Sequence, residues 1–180
     1  MRSLRPETIS DIDWPTWKPR DLATLLFVIQ GDRMLLIHKK TGLGAGKING
    51  PGGRLDGGET PVECAVREVQ EELCITVRDP RWAGRLHFQF LDGYSIRGDV
   101  FVASEFDGTP TETPEAAPLW VRLDAIPYDR MWADDPLWIP MMLDGRTFIG
   151  RFIFDGDRMV ASDVVEASAD EVRQLGGLAG

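Results

Sequence analysis

Residues 53–75 read GRLDGGETPVECAVREVQEELCI and concentrate acid more than an ordinary surface helix requires. Thr60, Pro61 and Glu63 form a helix start: a capping box with its glutamate three residues after the cap, and proline at the first helical position. The spacing predicts a helix over residues 61–73. At 100° per residue, Val62, Ala65, Val66, Val69 and Leu73 share an inward face, and Glu68, Glu71 and Glu72 fall on an adjoining arc of about 100°. Three carboxylates on one patch repel one another. Hard divalent cations take oxygen ligands, so Mg2+, with Mn2+ as an alternative, is the natural neutraliser.

The run Gly53, five residues, Glu59, seven residues, then Arg67-Glu68-Val69-Gln70-Glu71-Glu72 and a closing Ile75 resembles the signature of the Nudix hydrolases. These cut nucleoside diphosphates linked to another moiety and use divalent metal. One position departs, Cys74, where the pattern has glycine. Glycine suits a left-handed helix end and cysteine adopts that backbone less easily, so the departure bears on the helix exit and not on the metal ligands. The resemblance implies an α+β Nudix fold, a mixed curved sheet against the acidic helix and a second helix.

Outward from this stretch, the 180 residues, 43% hydrophobic and 27% charged, suit one soluble domain with a full core. The expected organisation is an arm over residues 1–20, a domain over 21–167 and a tail over 168–180 with a short helix. A net charge of −9 argues against stable nucleic-acid binding, though not against a polyphosphate held through metal. No run of 18 apolar residues and no signal-like start is present, so the expectation is a cytoplasmic protein without a membrane partner, as monomer or homodimer. Cys64 and Cys74 stand about 15 Å apart along one helix, too far for a disulfide.

In the arm, Trp14 and Trp17 are expected to cover an apolar patch or a dimer surface. Residues 22–29 and 34–38 read as a hairpin about a turn at 30–33. Residues 41–53 carry six glycines and a proline, a shaped loop whose N–H groups can cradle phosphate. Residues 76–90 and 94–104 read as two longer strands joined around Asp92-Gly93, and 118–123 as a short one. Asp134 or Asp135 is expected to cap a second helix carrying residues 137–143. Residues 146–154 and 159–166 read as a closing hairpin, and Ser168 to Glu171 opens a last helix ending at Gly176.

Three segments resemble the oxidised purine nucleoside triphosphate hydrolases, the 8-oxo-dGTP diphosphatases: KTGLGAGKINGPGGRLDGGET (40–60), TPEAAPLWVRLDAIP (113–127) and MWADDPLWIPMML (131–143). Physical chemistry supports part of this independently. Trp132 offers a stacking platform to a base. Asp134 and Asp135 can accept hydrogen bonds from a guanine-type edge, and two adjacent carboxylates tend to share a proton, which adds a donor. Moving that proton would let the pair meet a second oxidised purine such as 2-oxo-dATP. Helix capping alone remains the competing reading of the two aspartates.

The resemblance further implies substrate contacts at Thr24, Lys39, Asn49, Pro51, Gly52, Gly53, Arg54, Phe88 and Ala133. It places the Gly52 carbonyl, Glu68, Glu71, Glu72 and Glu115 at the metal, Glu115 being ligand or general base, and has Arg67 orient the carboxylates. Ile48 and Pro51 replace loop aromatics of close relatives, which bears on pocket shape. The implied reaction is water attack within the phosphate chain, giving nucleoside monophosphate and pyrophosphate. A Nudix hydrolase of another nucleotide, such as an ordinary dNTP or a dinucleoside polyphosphate, and a non-catalytic nucleotide sensor are the alternatives.

Overall fold

The chain begins its described course, residues 5–174 of a computed structural model, with an arm containing a 3-10 turn at Ile9–Asp11. The elements then run β1 (Asp21–Gln30), β2 (Arg33–Lys39), β3 (Ile48–Asn49), β4 (Gly52–Arg54), α1 (Pro61–Leu73), β5 (Thr76–Arg78), β6 (Arg81–Phe90) and β7 (Ser95–Ala103). They continue with β8 (Glu105–Asp107), β9 (Ala116–Arg122), α2 (Asp135–Leu143), β10 (Phe148–Asp155), β11 (Arg158–Glu166) and α3 (Ala169–Gln174). The expected end of the last helix at Gly176 lies outside the described residues. Two compact units are assembled from segments far apart in sequence: residues 23–82 with 99–132, and residues 1–22 with 83–98 and 133–180.

The first unit holds the acidic helix. α1 starts as its cap dictates: Glu63 N–H donates to Thr60 Oγ1 at 3.3 Å, Thr60 N–H donates to Glu63 Oε2 at 2.9 Å, and Pro61 opens the first turn. It packs against a sheet in which β1 pairs antiparallel with β2 and β4, and β2 with β3 and β9. The core joins Ala65, Val69 and Leu73 of the helix to Leu26, Val28, Leu35, Ile37, Phe101, Ala103 and Ala116. Each large aliphatic side chain buried there contributes about 1.5–3 kcal/mol relative to exposure.

The buried arc of α1 differs from the expected one. Cys64, Ala65, Val69, Glu72 and Leu73 are buried, whereas Val62 is 39% exposed and Val66 only half-buried. The arc has turned by roughly 60° toward the acidic edge, because Glu72 points inward at β4 and Cys64 fills the space beside Thr24.

Two irregular residues shape the chain just beyond this helix. Cys74 ends α1 at φ 60°, ψ 29°, with its N–H on the Gln70 carbonyl, so the left-handed exit forms even without glycine. A non-glycine residue there costs about 1–2 kcal/mol, part of which glycine returns as chain entropy. Cys74→Gly is therefore expected to raise stability by about 0.5–1 kcal/mol, roughly 1–4 °C in a thermal melt. The strand expected over 76–90 is broken into β5 and β6 by Asp79 at φ 47° followed by Pro80, which has no N–H for a ladder. β5 thereby leaves its neighbour and pairs with β8 in a separate two-stranded sheet.

In the second unit, β10 pairs antiparallel with β11 and parallel with β6, Phe152 opposite Phe88. α2 lies on β10 through Trp138, whose ring sits 5.5 Å from that of Phe148. Ser168 and Glu171 exchange the two bonds of a capping box at α3. The arm is built around its tryptophans: Trp14 Nε1 donates to the Ile9 carbonyl and Trp17 Nε1 to Gln89 Oε1, both at 2.8 Å. Their rings meet His87 edge-on at 6.1 and 5.4 Å.

His87 Nδ1 lies 3.1 Å from the Gly150 carbonyl, which can only accept. Burial, together with Arg85, Arg151 and Arg97, pushes its pKa down to about 4. A folded value below the unfolded one means stability present above about pH 6.5 and lost as pH falls toward 4, about 3 kcal/mol in all. An NMR titration of His87 should show its midpoint near 4, moving toward 6.5 in Trp17→Ala. A normal midpoint in the unaltered protein would contradict the burial.

Candidate active site

The acidic helix lays the Glu68 carboxylate directly over a glycine of β4. A Cβ on Gly53 would stand 2.3 Å from the Glu68 carboxyl carbon, and one on Gly52 would stand 1.9 Å from the Thr24 carbonyl oxygen. Gly53 thus leaves room for the Glu68 carboxylate over the strand, and Gly52 lets β4 lie close against β1.

Glu72 is 4% exposed, and its Oε2 accepts one long bond, 3.4 Å, from Gly52 N–H. Burial raises its pKa to about 8; Glu68 and Glu115 add to the rise, and Lys39 opposes it. Burial also raises Glu68, against the pull of Arg67. Glu115, on the loop before β9, completes the group: carboxylate oxygens of Glu68, Glu72 and Glu115 all lie within 4.8 Å of one another. Three hard oxygen donors, one of them buried with little compensation, fit a divalent cation of the Mg2+ type.

Glu71 is not brought into this group. Its side chain, 48% exposed, is held by Arg67 Nη1 at 3.2 Å. Arg67 also donates to Glu59 through Nε at 2.6 Å and Nη2 at 2.9 Å, to Glu68 at 3.0 Å and to the Arg54 carbonyl at 3.1 Å. The bidentate pair holds the Glu59 carboxyl down at about 2. Arg67 is a strut between the loop and the helix face. Glu59 had no assigned role in the sequence, although its fixed spacing to Arg67 was the available signal. Beneath the strut, Cys64 accepts from Thr24 Oγ1 at 3.3 Å, and burial pushes its thiol up to about 11, so it is packing and not a nucleophile.

Other residues singled out in the sequence have defined places. Asn49 pairs with Ile37 through β3, and its buried Nδ2 has no hydrogen-bond partner among the described residues. The Pro51 carbonyl accepts from Leu26 N–H. The Lys47 ammonium lies 5.1 Å from the Trp132 ring centroid. In the second unit, Phe88 stacks on Phe152 at 5.2 Å, while Ala133 is exposed.

The capping expected of Asp134 is not observed. Its backbone is helical, φ −80° and ψ −25°, and its side chain makes no cap bond. A helical Ncap backbone aims the carboxylate away from the first N–H groups. Instead Asp134 is 1% exposed, its Oδ2 accepts from Trp138 Nε1 at 2.9 Å, and its Oδ1 has no hydrogen-bond partner among the described residues. Burial raises its pKa above the ordinary carboxylate value, against the Trp138 hydrogen bond. Asp135, also buried, is the first residue of α2.

A NUDIX domain model matches residues 19–142, more than half of the chain. The chain belongs to the NUDIX family, and its mixed sheet with few helices is the family's α+β fold. It is 41% identical over 155 residues to an oxidized purine nucleoside triphosphate hydrolase of Danio rerio, covering 86% of this chain and 97% of that one. It is 39% identical over 142 residues to the protein of that name in Mus musculus, covering 78% and 91%. The crystal structure of a MutT protein from Bacillus halodurans matches with a TM-score of 0.72 at 25% identity, covering 80% of this chain and 97% of that one.

Proposed function

We propose that this protein hydrolyses oxidised purine nucleoside triphosphates, 8-oxo-dGTP first among them, to the monophosphate and pyrophosphate with Mg2+. The observation that carries the reaction is the Glu68, Glu72 and Glu115 cluster on a glycine-built seat. A bound divalent cation there would neutralise charge on the phosphate chain and acidify a water. The protein's own groups do the rest. Glu68, Glu72 and Glu115 would hold the cation, with the Gly52 carbonyl a further candidate ligand. Arg67 orients Glu68 and Glu71, and Lys39, whose field already reaches Glu72, draws the phosphates in. Glu115, whose side chain is exposed, takes the proton on the carboxylate oxygen not turned to the cation as water attacks phosphorus, and the bond to the bridging oxygen breaks to release pyrophosphate.

The substrate assignment is supported by the relatives' names and by two buried polar atoms lacking partners among the described residues, a donor on Asn49 and an acceptor on Asp134. Such atoms cost about 1–3 kcal/mol each unless a ligand satisfies them. In the first unit Trp132 offers stacking area to a base; in the second, Phe88 and Asp135 are further candidate base contacts. With burial holding the Asp134 pKa above the ordinary carboxylate value, the ratio of 2-oxo-dATP to 8-oxo-dGTP turnover should change as the pH is lowered from neutral. The test is a panel of oxidised and unmodified nucleotides with Mg2+, scored for pyrophosphate against phosphate release. Equal kcat/KM on all four unmodified dNTPs would sink the assignment, and phosphate as the product would sink the reaction.

A further inference from the structure

The last carbonyls of a helix have no partner within it, and in α1 two of them are taken by the loop that carries Glu115. Thr111 N–H donates to the Leu73 carbonyl at 2.9 Å, and Thr113 Oγ1 donates to the Glu72 carbonyl at 2.8 Å. The same hydroxyl oxygen accepts from Glu115 N–H and Ala116 N–H, each at 3.3 Å. One donor and two acceptor sites are all a hydroxyl has, and Thr113 uses every one.

Around it, Thr113 N–H donates to the Ala116 carbonyl, and Lys40 N–H to the Glu115 carbonyl, both at 2.9 Å. Lys40 Nζ holds the Thr113 carbonyl at 2.9 Å and Glu112 at 2.6 Å. Both main-chain groups of Glu115 are therefore tied down although its side chain is exposed. One atom, Thr113 Oγ1, links the backbone of Glu72 to that of Glu115, two residues of the cluster contributed by different elements, the helix and the loop.

We propose that Thr113 is a positioning residue for the metal centre: its hydroxyl sets the distance between Glu115 and the acidic helix, and so the affinity of the site for a divalent cation. The inference rests on the reading that Glu68, Glu72 and Glu115 hold that cation. Valine has the shape of threonine without the hydroxyl, and serine keeps the hydroxyl, so the two separate bonding from bulk.

The experiment titrates Mn2+ into the nucleotide-free protein, followed by electron paramagnetic resonance, for the unaltered chain, Thr113→Val, Thr113→Ser, Glu115→Gln and the double variant Thr113→Val with Glu115→Gln. Removing a group that orients a ligand is expected to weaken Mn2+ by about tenfold in Thr113→Val, with Thr113→Ser restoring it to within about twofold. The double variant should bind no worse than Glu115→Gln alone, because the threonine acts through that glutamate. Normal affinity in Thr113→Val beside weakened Glu115→Gln, additive losses in the double variant, or failure of serine to restore binding would each overturn the role of Thr113 while leaving the site intact. Normal affinity in Glu115→Gln would overturn the cluster itself, and this inference with it. Should the valine variant fail to fold, Lys40→Met releases the Thr113 carbonyl without touching the helix end. It is expected to weaken Mn2+ by a smaller factor, and normal affinity in it would overturn the positioning.

Discussion

Glu72→Gln is expected to lower kcat by about 10²–10³-fold while making the metal-free protein more stable at pH 8. The two effects have one cause. Glu72 is 4% exposed, with a single long bond from Gly52 and two other carboxylates nearby. Its pKa of about 8 in the fold exceeds the ordinary carboxylate value, so the folded chain holds a proton there that the unfolded chain releases. The associated stability is fully present below about pH 4.5 and is lost as pH rises through 8. The loss reaches up to about 4 kcal/mol in the metal-free protein.

Glutamine carries no charge to desolvate, so the variant should lose the Glu72 part of the pH dependence and keep the contributions of His87, Glu68 and Asp134. Mg2+ should raise the melting temperature of the unaltered protein at pH 8 and do little for the variant, since metal binding and carboxylate ionisation are linked. Melts at pH 5 and 8 with and without Mg2+, alongside pyrophosphate release, check both halves. Near-normal turnover, or a variant whose stability changes between pH 5 and 8 in the same way as that of the unaltered protein, would show that Glu72 is not the buried ligand. Glu71→Gln should cost less, because Glu71 is exposed and engaged with Arg67.

That contrast marks where sequence and structure part. The extent of α1 was legible because its start is written locally, in Thr60, Pro61 and Glu63, and its end in a residue pattern that needs a left-handed exit. The three helix glutamates were equally legible as acids, but helical spacing places them on one arc and cannot say which point inward. Burial of Cys64 and the place of the Glu68 carboxylate over Gly53 turn the helix so that Glu72 goes in and Glu71 stays out. Those are contacts between segments, to which a local pattern is blind. The same limit hid Thr113, an ordinary loop residue until the loop is laid on the helix end. The break at Asp79-Pro80 was visible as a proline and outweighed by the apolar run around it.

Asp134→Asn is expected to lower kcat/KM for 8-oxo-dGTP by about 30–150-fold, equivalent to about 2–3 kcal/mol, with the fold preserved. The position was ambiguous in sequence between a helix cap and a base reader, and the absence of any cap bond removes the first role. What remains is a buried carboxylate with one oxygen on Trp138 Nε1 and the other without a partner among the described residues. Asparagine can keep its oxygen on the Trp138 donor, so the packing of α2 on β10 survives. Its amide nitrogen then occupies the place of the second oxygen, and an acceptor becomes a donor. A base edge that offers N–H groups would face another N–H there, a mismatch that costs more than a merely missing bond. The loss should appear in oxidised-purine turnover and much less in Mn2+ affinity, because Asp134 is no part of the carboxylate cluster. Asp134→Leu should remove the Trp138 bond as well and lower the melting temperature. An asparagine variant with unchanged selectivity across the nucleotide panel would return Asp134 to a purely structural role, anchoring Trp138.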